Sequence, residues 1–307
     1  MRIGRFAVVM AALATAAGAQ EAAAPHPESL LTVALAHDRH ARMTIPVTID
    51  GKGPFPFVVD TGAERTSISA ELAAALNLPS AGNAMLHSVT GMSPVGLFHI
   101  DTIAFDRHSA TDLRAPAMAQ THMGAPGLIG VDSLSNQRVT LNFRRRTMTI
   151  APTRTRDREA RSDDIIVRAR SLAGRMVIMD AAVDGEKVAV ILDTGSQASL
   201  GNEALRKRLF AKRPRRDARS LELRDVTGGT LTAIYTTTRS LRISDMQVNN
   251  LPIAFADAHV FAELDLADRP AMLLGMDALR LFDRVTIDFG KRRARFLRAN
   301  ESHLASW

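Results

Sequence analysis

Phe57-Val58-Val59-Asp60-Thr61-Gly62-Ala63 returns later in the chain as Ala189-Val190-Ile191-Leu192-Asp193-Thr194-Gly195-Ser196, and the two stretches read together decide the fold. In each, an apolar run rich in β-branched residues ends in Asp-Thr-Gly, the pattern of a buried strand that delivers a carboxylate into a tight glycine turn. Two carboxylates within hydrogen-bond reach cannot both ionise freely. They share a proton, and such a pair serves one water as base and acid at once.

A lone three-residue motif carries little weight. Here both copies have matched companions. Asp60 is followed by Val89-Thr90-Gly91, by Gly127-Leu128-Ile129-Gly130-Val131-Asp132-Ser133-Leu134 and by Arg138-Val139-Thr140-Leu141-Asn142-Phe143. Asp193 is followed by Val226-Thr227-Gly228, by Met272-Leu273-Leu274-Gly275-Met276-Asp277-Ala278-Leu279 and by Arg284-Val285-Thr286-Ile287-Asp288-Phe289. The order is kept and the spacing between equivalent positions widens only modestly, so the chain contains an internal duplication.

With two Asp-Thr-Gly turns, two glycine-tipped hairpins and two apolar-apolar-Gly motifs, the sequence from about Met43 to Leu297 resembles the aspartic peptidases. The short lobes, Ala63 and the Leu-Leu-Gly-Met-Asp form of the second glycine motif are closer to the retropepsin-like bacterial peptidases than to pepsin. The resemblance implies an all-β fold of two closed, barrel-like lobes related by a pseudo-twofold, with a few short helices and the site between the lobes. It assigns catalysis to Asp60 and Asp193. Thr61 and Thr194 would donate hydroxyl hydrogen bonds across the lobes, Gly62 and Gly195 would let main-chain amides approach, and Thr90, Gly91, Thr227 and Gly228 would form substrate-covering flaps. In pepsin-like relatives a serine at the place of Ser196 bonds the outer carboxylate oxygen. That would leave Asp193 the more ionised member and Asp60 the bearer of the shared proton. Glu64 departs from the aspartate usual in retropepsins, Val131 from the arginine that pairs with it, and no tyrosine sits at either flap tip.

The 307 residues, 46% hydrophobic and 23% charged, can bury two cores of ordinary size. With no cysteine there is neither a disulfide framework nor a thiol nucleophile. Arg2 and Arg5, the apolar run from Phe6 to Ala17 and Ala17-Gly18-Ala19 form a signal-peptide pattern over 1–19, so a periplasmic or secreted protein is expected. Residues 20–41 read as a flexible lead-in, 42–152 as the first lobe, 153–164 as a charged linker, 165–300 as the second lobe and 301–307 as a tail. His37 and His40 lack a third ligand, and neither a metal nor a cofactor is expected.

Helical spacing is expected from Ile68 to Leu78 and, behind an Asn202 cap, to about Phe210. Asp132 and Asp277 are expected to cap short helices at Ser133–Asn136 and Ala278–Leu281. Each Val-Thr-Gly also suits an ordinary turn, though its recurrence in the second half favours a flap. Arg206, Lys207, Arg208, Lys212, Arg213, Arg215 and Arg216 form a basic cluster, read as a solvated helix end and loop or as an attraction to an anionic membrane surface or an acidic substrate segment. No nucleic-acid reader motif accompanies the net charge of +7.

The residues thus point to an exported aspartic endopeptidase that acts as a monomer on extended protein or peptide segments, which would pair with flap backbone as an added strand. Two other classes compete. A peptide-binding module without chemistry would not need two facing acids, which are costly to bury. A glycosidase would not place its carboxylates at equivalent points of a repeat, and aromatic platforms for sugars are scarce.

Overall fold

The computed structural model describes residues 31–34, 36–37, 43–105, 108–157, 160–212 and 217–298. The proposed leader, most of the lead-in, the tail, and Arg213, Arg215 and Arg216 of the basic cluster lie outside them.

The duplication is visible in the strand order. In the first lobe Met43–Ile49, Lys52–Val59, Gly127–Ile129, Ser67–Ser69, His108–Met118 and Met92–Phe105 lie side by side. Met43–Ile49 pairs at one edge with Lys52–Val59 and at Thr48 and Ile49 with Ala104 and Ile103, which closes the ring into a six-stranded barrel. Closure leaves the barrel strands without free edges. Its interior is filled by Ile45, Val47, Phe57, Ile68, Ile100 and Ile103, all buried.

The second lobe uses the same plan with its long strands broken. Arg175–Ile178 and Ala181–Val183 take the place of Met43–Ile49, and Thr230–Thr237 with Ser240–Ile243 takes the place of Met92–Phe105. Ala181–Val183 pairs with Ser240–Ile243, the counterpart of the closing pair in the first lobe. The molecule is a two-lobed, all-β structure.

Five short helices occur among the described residues: α1 (Ala70–Leu76), α2 (Gln120–Met123), α3 (Glu203–Lys212), α4 (His259–Glu263) and α5 (Met276–Leu279). The helix expected from Ile68 starts later, because Ser67–Ser69 pairs into the barrel and Ser69 caps α1 through the Leu72 amide at 3.0 Å. Asn202 caps α3 through the Leu205 amide at 2.9 Å. Residues 133–136 form turns, not a helix.

The lobes share a sheet. Arg138–Asn142 runs antiparallel to Arg284–Asp288, with Val139 facing Ile287, Thr140 facing Thr286 and Leu141 facing Val285. These are the equivalent stretches of the repeat. Position three of each copy faces position three of the other, and the Thr286 hydroxyl donates to that of Thr140 at 3.3 Å. The pseudo-twofold therefore passes between these threonines.

One face of this sheet is apolar. The other carries Arg138, Arg284 and Arg295, each about 95% buried. The connection between the lobes supplies their counter-charges. Asp157 pairs with Arg138 and Arg295, and Asp164 with Arg284 at 2.5 Å and with Arg295 at 3.7 Å. Buried guanidinium groups need such partners. The linker is thus a strap laid across the sheet.

Candidate functional site

Each aspartate leaves its strand at the same point. Val59 lies beside Ile129 and Leu192 beside Leu274, in parallel pairs. The Asp60 amide then donates to the Ile129 carbonyl at 2.9 Å, and that of Asp193 to Leu274 at 3.1 Å. Gly130 and Gly275 follow those carbonyls. A Cβ on Gly275 would stand 2.7 Å from the Ala198 carbonyl carbon, and one on Gly130 would collide with the backbone of Arg65 and Thr66. Only glycine lets the two segments pass this closely.

Asp132 and Asp277 do not cap helices as expected. α5 begins at Met276 with no side-chain cap. Instead Asp132 accepts from the Thr66 amide at 2.9 Å and hydroxyl at 2.7 Å, and Asp277 from the Ser199 amide at 3.0 Å and hydroxyl at 2.7 Å. These bonds anchor the loop leaving each aspartate, and their partners come from a distant segment that helix-cap logic does not reach.

The two turns meet on the pseudo-twofold. The Thr61 amide donates to Thr194 Oγ1 and the Thr194 amide to Thr61 Oγ1, both at 3.1 Å. The hydroxyls donate onward, Thr61 to Leu192 O at 2.8 Å and Thr194 to Val59 O at 2.7 Å. Both threonines are buried, so every donor and acceptor of this square has a partner inside the protein. The square sets each carboxylate against the opposite turn. A Cβ on Gly62 would strike the Asp193 carboxyl, and one on Gly195 that of Asp60. Within each turn Oδ1 accepts two amides: Gly62 and Ala63 for Asp60, Gly195 and Ser196 for Asp193, at 2.9–3.0 Å.

Two findings place this geometry among known proteins. Residues 45–136 match a family model described as "gag-polyprotein putative aspartyl protease", and residues 179–278 match one described as "Aspartyl protease". Each lobe is similar to an aspartyl protease. No curated protein matches the chain.

The expected bond from the Ser196 hydroxyl to Asp193 is not made. The Ser196 hydroxyl donates to the Ala198 carbonyl at 2.8 Å, because the turn carries it away from the carboxylate. What Ser196 gives Asp193 is its amide, as Ala63 does for Asp60. Burial then dominates. Asp193 is 9% exposed, and burial first, then the charge of Asp60, pushes its carboxyl from 3.8 up to about 7. The amides of Ser196 and Gly195 and the charge of Arg175 oppose this without prevailing.

The flap residues gather in a cluster of their own. Ser80–His87 and Met92–Phe105 form one hairpin, with Val89, Thr90 and Gly91 at its tip; Arg219–Arg224 and Thr230–Thr237 form the other, with Val226, Thr227 and Gly228 at its tip. Asp225, just before the second tip, joins them. Its Oδ2 accepts the Thr90 amide at 3.1 Å and hydroxyl at 2.5 Å, and its Oδ1 accepts the Thr227 amide and hydroxyl and the Gly229 amide at 2.8–3.0 Å. Burial works against its charge, but the Ser88, Thr90 and Thr227 bonds outweigh it and hold the carboxyl down at about 2. From α4, the His259 amide donates to Val89 O at 3.0 Å, and its ring bonds that of His87 at 2.8 Å.

Sequence reasoning missed Asp225, His87 and His259, and also Arg175. The last had a signal: Arg42-Met43 precedes the first motif as Arg175-Met176 precedes the second. In the basic cluster, Arg206 is taken up by Glu203 at 2.6 Å and lies 5.2 Å from the Phe210 ring centroid, while Lys207 and Arg208 are exposed. Among the described residues no group of three or more His, Cys, Asp or Glu side chains is arranged to hold a metal ion.

Proposed function

We propose that the chain is an exported aspartic endopeptidase that hydrolyses extended peptide segments with the Asp60/Asp193 pair. The observation that carries this reading is the crossing of the two turns, each carboxylate seated against the other turn's glycine. A fold that only bound peptide would gain nothing from burying a second acid opposite the first.

In the proposed reaction, because burial favours the neutral form of Asp193, Asp60 acts as the base and takes a proton from water as the water oxygen attacks the peptide carbonyl carbon. Asp193 gives its proton to the carbonyl oxygen. The tetrahedral diol then collapses: the C–N bond breaks, the departing nitrogen takes the proton held by Asp60, and a diol proton returns to Asp193. No acyl-enzyme forms. Substrate would lie extended and pair with flap backbone.

Purified protein lacking residues 1–19, assayed on a mixed peptide library across pH, tests the activity. Cleavage that disappears in Asp60→Asn and in Asp193→Asn supports it, and a wild type without turnover at any pH rejects it. Export is tested by the mature N-terminus. Processing after Ala19 is expected, and an intact Met1 in the envelope fraction would contradict it.

A further inference from the structure

Arg175 opens a strand of the second lobe, yet its side chain serves the turn of the first. Its Nε donates to the Gly62 carbonyl at 2.6 Å, and its Nη1 donates to Glu263 Oε1 at 3.1 Å. The pair is inside the protein, with side chains 5% and 16% exposed. A guanidinium placed only to neutralise a carboxylate would use its fork on that carboxylate. This one divides its donors between Glu263 and the residue whose α-carbon backs onto the Asp193 carboxyl.

The charged groups that act on Asp193 are few. Asp60 faces it from the first turn, and among the described residues the charge of Arg175 favours its ionised form. Glu263 faces Arg175 from α4. The same five-residue helix begins at His259, which holds the first flap through Val89 and His87. The side chain that holds Arg175 therefore stands on the element that also holds the flap.

We propose that Arg175 is a positioning residue of the dyad, held by Glu263 so that it fixes the Gly62 carbonyl against the Asp193 carboxyl and sets one positive charge beside the pair. This rests on the proteolytic reading above. Arg175 does not touch the reacting atoms. It acts through the height of the Gly62 turn and through its charge.

Three variants, read by the pH profile of kcat/KM, test this. Arg175→Gln removes the charge and leaves Glu263 as a bare anion nearby, so both limbs of the bell should move to higher pH by about one unit. Glu263→Gln leaves the arginine charge without its counter-ion, so both limbs should move to lower pH. Arg175→Lys keeps the charge but not the fork. Its limbs should stay near wild type while kcat/KM falls about tenfold. A purely structural role would lower activity in all three without opposite displacements. Limbs that stay put in Arg175→Gln, or that move the same way in Arg175→Gln and Glu263→Gln, would overturn the proposal. Carbon NMR titration of the Asp193 carboxyl in the same proteins reads the same displacements without turnover, so a failed proteolytic reading and a failed role for Arg175 give different results.

Discussion

Raising a buried carboxyl to about 7, as happens at Asp193, links stability to pH with a definite sign. The folded state holds this proton more tightly than the unfolded chain, whose value is near 3.8. The contribution is therefore fully present below about pH 3.8 and is lost as pH rises through about 7, with a ceiling of about 4 kcal/mol. Asp193→Asn should abolish hydrolysis yet raise the thermal midpoint at pH 8, with little difference from wild type near pH 4. Thermal unfolding at the two pH values checks this, and a variant less stable than wild type at pH 8 would refute it. Asp60→Asn should abolish hydrolysis as well, and the double variant should be no worse than either single one, because the two act as a unit. The threonine square gives a second expectation at this scale. Thr61→Val leaves the buried Thr194 amide without its acceptor and should cost about 1–3 kcal/mol of stability by denaturant titration. Thr61→Ser, which keeps the hydroxyl, should restore most of it.

Among the elements, the hairpin lock at Asp225 has the opposite pH sign. Its carboxyl is depressed to about 2, so the lock contributes stability above about pH 3.8 that is lost as pH falls through about 2. The Thr90, Thr227 and Gly229 amides should resist hydrogen exchange at pH 5 in the wild type and exchange rapidly in Asp225→Ala. Equal protection in both proteins would show that the tips are held by something else. This lock also shows where sequence reading stops. Val-Thr-Gly was legible as a turn, because glycine with positive φ is a local requirement, met at +143° in Gly91 and +86° in Gly228. Its closure was not legible. Asp225 stands outside the motif, and its partner Thr90 lies 135 positions away in the other lobe. Asp132 and Asp277 were misread for the same reason, since an aspartate before a short apolar run looks like a cap until its distant hydroxyl partner is known. The facing of the two Asp-Thr-Gly turns was legible because the same turn occurs twice in equivalent places, and a duplicated element leaves a duplicated sequence. Ser196 was misassigned because the direction of a hydroxyl depends on the turn's path and not on its position in the motif.

For the molecule as a whole, the pseudo-twofold is fixed at Thr61 with Thr194 and at Thr140 with Thr286. Both pairs lie within one chain, so specific activity should not change on dilution into the nanomolar range. A second-order loss, accompanied by a halving of mass, would show that a second copy is needed. The strap has a further consequence. Asp157 belongs to the first lobe's side of the connection, while Arg295, which it holds, belongs to the second. The seam beneath is zipped by five facing pairs from Arg138 to Asn142. Covalent continuity is thus redundant with an ionic clasp, and the gene could be split there. Two separately translated fragments, parted between Asp157 and Ala160, should recombine on mixing and recover turnover, more completely in dilute buffer than in molar salt.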